Sequence, residues 1–374
     1  MEIRKVDIYL LEMKLKEEFR TSFGGIKARP VVLVRVEEKG GEEGWGELVA
    51  EWGPWYSYET FEVSLLVLKK FIVPLLMESD TRDPEEFLRL ASRVRGYPMA
   101  KTAVEEALVD LSARLRKIPV AEVLGGRPKD VEAGVSIGIK PNIKELLDEV
   151  KLRLDEGYRR VKIKIEPGFD VKPVSAVRKE FGDIPLQVDA NGAYSIRDLQ
   201  IFEELDKQDL LMIEQPFAWD DLLAHRVLAR KISTPICLDE SIASVQDLVI
   251  GWMLGSLEVV NVKPARVGGV TVAKRMLDIA LELGIGAWIG GMLETGVGRA
   301  FLVALASHPA VSYPNDISAS NRYWDEDIVE PPWTLTSRGT IEVPNKPGLG
   351  EEVLTDRIEK MSREKWSVSR GTVA

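Results

Sequence analysis

The sequence predicts an α/β protein: a (β/α)8-type (modified TIM) barrel with an α+β capping domain formed by the N-terminal region and the C-terminal tail. Three observations predict it. From about residue 126, short apolar strands alternate with amphipathic helices, the pattern of a parallel sheet with helical crossovers. Along that stretch Lys164, Asp189, Glu214, Asp239 and Lys263 each end an apolar strand, at intervals of 25, 25, 25 and 24 residues, so one βα unit separates each from the next. Before it, about 125 residues read as antiparallel strands followed by helices. The 374 residues therefore divide into a capping region at 1–125, a barrel at 126–323 and a tail at 324–374 that returns to the cap.

The first elements are strands. Period-two alternation through Ile3, Val6, Ile8 and Leu10, then a β-rich run from Val31 to Val36, predicts an antiparallel pair reaching about Lys39. Between them FRTSFGG, residues 19–25, reads as a Gly-rich mobile loop. Helical periodicity follows at 58–76, 84–94 and 99–115, and LGGRP at 124–128 closes the region. The barrel strands are GVSIGI, RVKIKI, LQVDA, LMIEQP, ICLDE, VVNVKP, AWIGG and AVSYPND, eight in all. In the Pro- and Gly-rich tail one short strand, 340–343, is expected to pair back onto the N-terminal strands.

Composition excludes several classes of function. Lys plus Arg number 50 and Asp plus Glu 60, a net charge of −10 that argues against nucleic acid or an anionic membrane surface as partner. No uncharged run is long and apolar enough to span a bilayer, and MEIRKVDIYL lacks the apolar core of a secretory signal, so no membrane partner and a cytoplasmic location are expected. The single cysteine, Cys237, fits a reducing compartment. His225 and His308 have no partners implied by spacing and read as structural, which leaves acid–base work to carboxylates, lysines and tyrosines.

The strand ends of a parallel barrel converge on one mouth. Asp189, Glu214 and Asp239 come from three consecutive ends, and three hard oxygen donors side by side suit Mg2+, with Mn2+ or another divalent cation as substitute. Any one of them alone reads equally well as a helix N-cap, but three in register do not. Lys162 and Lys164, at i and i+2, face the barrel interior together, and Lys263 stands across the carboxylate row. A substrate on the metal would have an amine on each face. Burial beside other cations is expected to lower the lysine pKa towards neutrality, with Lys162 acting on Lys164. A Schiff-base aldolase and a non-catalytic metal-binding barrel are the competing readings of the same residues.

These residues, together with RTSFG, GWGE, GVSIGI, DANGAY, IEQP, LDES, NVKP and GGMLETGVGR, make the sequence resemble the enolase superfamily over nearly its whole length, and within it the muconate lactonising subgroup. It is most similar to the branch of o-succinylbenzoate synthases and N-acylamino acid racemases. The resemblance implies Lys164 and Lys263 as catalytic residues and Mg2+ on Asp189, Glu214 and Asp239. It implies a small carboxylate substrate contacted by Lys162, Ser136, Asn191, Gly290, Gly291 and Met292, with Gly290 and Gly291 offering backbone donors. A capping loop bearing Phe19, Thr21, Ser22 and Phe23 would close over the substrate. Glu51, in GWGELVAE, stands where racemases of this branch often have an apolar residue, and an acid facing the substrate tail would change specificity. Trp52, Trp55 and Tyr56 read as either domain packing or substrate contacts. The implied reaction is syn dehydration through an enediolate, a step of menaquinone biosynthesis, or racemisation at the same site, in a homo-oligomer that is a dimer or an octamer.

Overall fold

The computed structural model describes residues 1–81, 83–127 and 129–371; Pro128 of LGGRP and the tail residues 372–374 lie outside the described residues. The cap opens with β1 (Ile3–Thr21), β2 (Gly24–Glu38) and β3 (Glu43–Leu48), paired antiparallel in that order. Alternation splits their side chains between two cores. Val32, Val34 and Leu48 pack under the cap helices, whereas Leu33, Tyr9 and Trp45 join the core shared with the barrel. The glycines of GWGE have a steric reason: a Cβ on Gly46 would collide with the Ala103 carbonyl of the helix Pro98–Arg116 that crosses β3.

The FRTSFGG segment is not a loop. It is the end of the β1–β2 hairpin, with Phe19 opposite Ile26 and Thr21 opposite Gly24 after a register irregularity between Lys14 and Phe19. The barrel holds it there: the Ile139 N–H donates to the Arg20 carbonyl at 2.9 Å, and a Cβ on Gly138 would lie only 2.7 Å from that oxygen. A segment that reads as a loop by composition is paired as a hairpin end and hydrogen-bonded to the barrel.

The barrel strands β4 (Gly134–Ile137), β5 (Arg160–Lys164), β6 (Leu186–Asp189), β7 (Met212–Glu214), β8 (Ile236–Leu238), β9 (Val259–Val262) and β10 (Gly286–Ile289) form one parallel sheet in chain order. Among the described residues seven barrel strands make ladders, not eight. AVSYPND contributes only isolated bridges, Val311 with Ala287, Asp316 with Gly290 and Asn315 with Ala133, that close the gap between β10 and the approach to β4. Pro314 has no N–H to give to a ladder, and the Ile289 N–H of β10 donates to the Asn315 side-chain oxygen at 2.8 Å. Met212, Cys237, Val259 and Trp288 form a separate buried cluster.

The tail also departs from expectation. Thr340–Ile341 pairs with Val131–Glu132 just ahead of β4, not with the N-terminal strands. The strand that returns to the cap is β11 (Glu364–Ser369), antiparallel to β1 from Lys5 opposite Ser369 to Leu10 opposite Glu364. No helix among the described residues is long and apolar enough to cross a membrane.

Candidate active site

Register builds the site. Lys164 on β5 pairs with Asp189 on β6, and Asp189 with Glu214 on β7, so the three side chains share one face of adjacent strands. Glu214 pairs with Cys237, which puts Asp239, two residues on, on that same face. Lys263 follows β9 directly. The five residues at 24- and 25-residue spacing are thus brought together, and all are buried.

Each carboxylate meets at least one cation. The Lys164 ammonium donates to Asp189 at 2.6 Å and to the Asn191 side-chain oxygen at 2.7 Å. Lys162 lies 2.9 Å from Glu214, 3.3 Å from Asp189 and 3.0 Å from Asp316. Lys263 donates to Asp239 at 2.8 Å from one end of the row, opposite Lys164 at the other. Asp239 also accepts from the Tyr56 hydroxyl at 2.9 Å and from Arg266. Glu214 further accepts from Gln187 at 2.8 Å and Asn261 at 2.7 Å.

The charges follow from this pairing. Burial opposes ionisation of Asp189, but Lys164 and Lys162 overcome it and hold its carboxyl below the ordinary range. Burial and the charges of Asp189 and Asp239 push Glu214 up to about 7. The expected lowering of lysine pKa is not found at Lys162 or Lys263. Burial works against both ammonium charges, yet Asp316 and Glu214 outweigh it at Lys162, and Asp239 and Tyr56 at Lys263, and both amines are raised. The expectation weighed burial and neighbouring cations and omitted the carboxylates in direct contact.

The donor set suits a hard divalent cation in kind: three carboxylate oxygens and neither sulfur nor imidazole. Among the described residues no three acidic, His or Cys side chains form a ready metal cluster, because lysine ammonium groups stand among the carboxylates. The carboxylates are nevertheless close enough for Asp189 and Asp239 to raise Glu214, the repulsion a dication relieves. Beside them Glu240 is partly buried, with one buried side-chain oxygen unpaired among the described residues while the other accepts from Asn191 at 2.9 Å.

A cavity of about 130 Å³ opens beside the row and is lined by Lys164 and Lys263 from the row's two ends, while Asp189, Glu214 and Asp239 are not among its lining residues. Its walls include the expected Ser136, Lys162, Lys164, Asn191, Lys263, Gly291, Met292, Phe19, Phe23 and Glu51. Gly290 is not among them. Its N–H donates to the Val262 carbonyl at 3.0 Å, and a Cβ there would collide with Asn261, so this glycine serves packing instead of offering a donor to a ligand. The Met292 N–H is likewise taken, by Glu294 at 2.8 Å.

Several site residues escaped sequence reasoning. Gln187 and Asn261 sit two residues before Asp189 and Lys263 on the same strand faces, a signal that was legible. Arg266 lies one helical turn past Lys263, and Asp316 ends the segment taken as the eighth strand. Tyr56, left undecided between packing and contact, belongs to the site: its ring lies 4.4 Å from the Lys263 ammonium. His225 and His308 are structural. The first bridges the Asp221 carbonyl and the Phe217 N–H, and the second meets Asp278.

Comparison with known proteins finds matches over both parts of the chain. The family described as mandelate racemase/muconate lactonizing enzyme, N-terminal domain, matches residues 5–125, and the family described as enolase C-terminal domain-like matches residues 145–357. An o-succinylbenzoate synthase of Geobacillus kaustophilus is 43% identical over 353 residues, covering 94% of this chain and 94% of that protein. An N-succinylamino acid racemase of an Amycolatopsis species is also 43% identical, covering 98% and 99%. A crystal structure of an enolase-superfamily member from Listeria innocua superposes with a TM-score of 0.95 at 39% identity, covering 99% of this chain and 100% of that one.

Proposed function

The chain belongs to the enolase superfamily, and on that premise we propose that it is a Mg2+-dependent o-succinylbenzoate synthase acting on a small carboxylate substrate. Enzymes of this superfamily generally use a divalent metal, usually Mg2+. The observation that carries the reading is the buried row of Asp189, Glu214 and Asp239 with Lys164 at one end and Lys263 at the other.

Taking a proton from the carbon next to a carboxylate drives negative charge onto that carboxylate's oxygens, and the barrier is set by how well the site neutralises it. Asp189, Glu214 and Asp239 would hold the cation, whose chemistry is Lewis-acid stabilisation of that charge. Lys164, as the free amine, takes the proton and returns it to the departing β-hydroxyl on the same face, which gives net loss of water. Lys263, kept protonated by Asp239 and lying 4.4 Å from the centre of the Tyr56 ring, supplies positive charge from the other side. Phe19 and Phe23 of the hairpin wall the cavity and limit water.

Racemisation of N-succinylamino acids at the same site is the second reading. It is favoured by the two amines at opposite ends of the row, since a dehydration completed on one face needs only one base. The test is a direct comparison of kcat/KM, with Mg2+, on the cyclohexadiene hydroxy acid precursor of o-succinylbenzoate and on N-succinylamino acids of both hands. Turnover of the first supports the synthase; turnover of neither, with no exchange of the substrate α-proton in deuterium oxide, refutes both readings.

A further inference from the structure

The other charged groups around the cavity each have a partner: Asp316 has Lys162, Glu294 the Met292 N–H and Arg299 the Glu294 carbonyl, although Asp316 Oδ1 and Arg299 Nη1 stay unpaired among the described residues. Glu51 differs. It lies three residues past β3, its backbone carbonyl is anchored by the Phe61 N–H at 2.7 Å, and its side chain lines the cavity. Among the described residues no hydrogen bond or ion pair engages its carboxylate. Burial raises its pKa, against the fields of Arg29, Lys263 and Lys164, which favour its charge without cancelling that cost. None of the three donates to the Glu51 carboxylate: Arg29 gives its Nη1 to Glu47 and the Leu293 carbonyl and leaves its Nε and Nη2 unpaired among the described residues, Lys164 is held by Asp189 and Asn191, and Lys263 by Asp239. The hairpin contributes the apolar Phe19, Phe23 and Ile26 to the same cavity.

A carboxylate partly withdrawn from water in such a cavity costs free energy unless a donor meets it, and among the described residues none hydrogen-bonds to it. The donor must therefore come with the ligand. We propose that Glu51 selects substrates bearing an ammonium or guanidinium group remote from the reacting carboxylate, so that N-acylated amino acids with basic side chains are the preferred racemisation substrates. The inference rests on the racemase reading above and names its substrate class. An aliphatic side chain of equal length would leave the carboxylate buried and unpaired, the situation in which a site discriminates strongly.

The test compares racemisation of N-succinyl-L-lysine and N-succinyl-L-norleucine by the Mg2+-loaded enzyme, wild type and Glu51→Gln and Glu51→Met, with circular dichroism to check folding. The wild type is expected to favour the lysine derivative by about tenfold or more in kcat/KM, and the variants to lose that preference, with E51M favouring norleucine. Equal rates on the two compounds in the wild type, or a lysine preference retained in both folded variants, would overturn the inference and leave racemisation standing. No racemisation of either compound, with dehydration intact, would remove the racemase reading and the inference together.

Discussion

Arg29 of β2 and Glu47 of β3 form a fully buried ion pair, 2.9 Å apart, that ties the cap to the barrel. Glu47 also caps the helix Gly296–Ala306, accepting from the Thr295 N–H at 3.0 Å, the Thr295 hydroxyl at 2.6 Å and the Gly298 N–H at 3.1 Å. Arg29 donates in turn to the carbonyl of Leu293, which lines the cavity with a φ of +60°. One pair thus sets the distance between the hairpin and the 291–295 segment. Removing either partner leaves a buried charge alone, so Glu47→Ala is expected to cost about 3–5 kcal/mol, read as a fall in the urea midpoint at constant slope. A loss below about 1 kcal/mol would show that the pair does not tie the two parts together.

Replacing Lys164 by Ala is expected to abolish dehydration and racemisation, because no other amine reaches Asp189 from that end of the row except Lys162, which is occupied by Glu214 and Asp316. Lys263→Ala separates racemisation from proton exchange. It should stop racemisation entirely while leaving exchange of one enantiomer's α-proton with deuterium oxide through Lys164, a pattern that proton NMR resolves. Retention of wild-type dehydration by Lys164→Ala at saturating Mg2+ would disprove the assignment of the base.

Dialysis against a chelator should silence the enzyme, and Mg2+ or Mn2+ should restore it. The same addition should raise the melting temperature, since a ligand that binds only the folded chain stabilises it by mass action, about 2.7 kcal/mol at a hundred times its Kd. Asp189→Asn, which keeps the shape and removes the charge, should lose that shift. An equal rise in melting temperature for wild type and Asp189→Asn would place the cation elsewhere.

How much of this was legible in the chain depends on whether a feature is periodic or tertiary. The spacing from Lys164 to Lys263 is a repeat of the βα unit, so register on neighbouring strands follows from sequence alone. Tyr56 and Glu51 come from the cap, where no repeat relates them to Asp239 or Lys263, and only the docking of cap on barrel brings them to the cavity. The hairpin tip was misread because glycines signal a loop locally, while the Ile139 N–H that orders it lies over 100 residues away. β11 did carry a signal: Trp366 and Val368 alternate with polar residues and pack on the cap core. Gly290 shows the converse, since a glycine at a strand end looks the same whether it spares room for a ligand or for Asn261.

His225 makes stability depend on pH in a stated direction. It is buried, its Nδ1–H donates to the Asp221 carbonyl at 2.7 Å, and its Nε2 accepts from the Phe217 N–H at 3.2 Å, a pairing open only to the neutral ring. Burial pulls its pKa down from 6.5 to about 4. Because the folded value is the lower one, the unfolded chain binds more protons between these limits, so the contribution is complete above pH 6.5 and is lost as pH falls towards 4. At pH 4.5 that loss amounts to about 2–3 kcal/mol. His225→Gln, which does not take up the proton, should start less stable at pH 7 and lose correspondingly less on going to pH 4.5. Urea midpoints measured for both proteins at the two pH values decide it: parallel losses would mean that His225 does not carry the dependence.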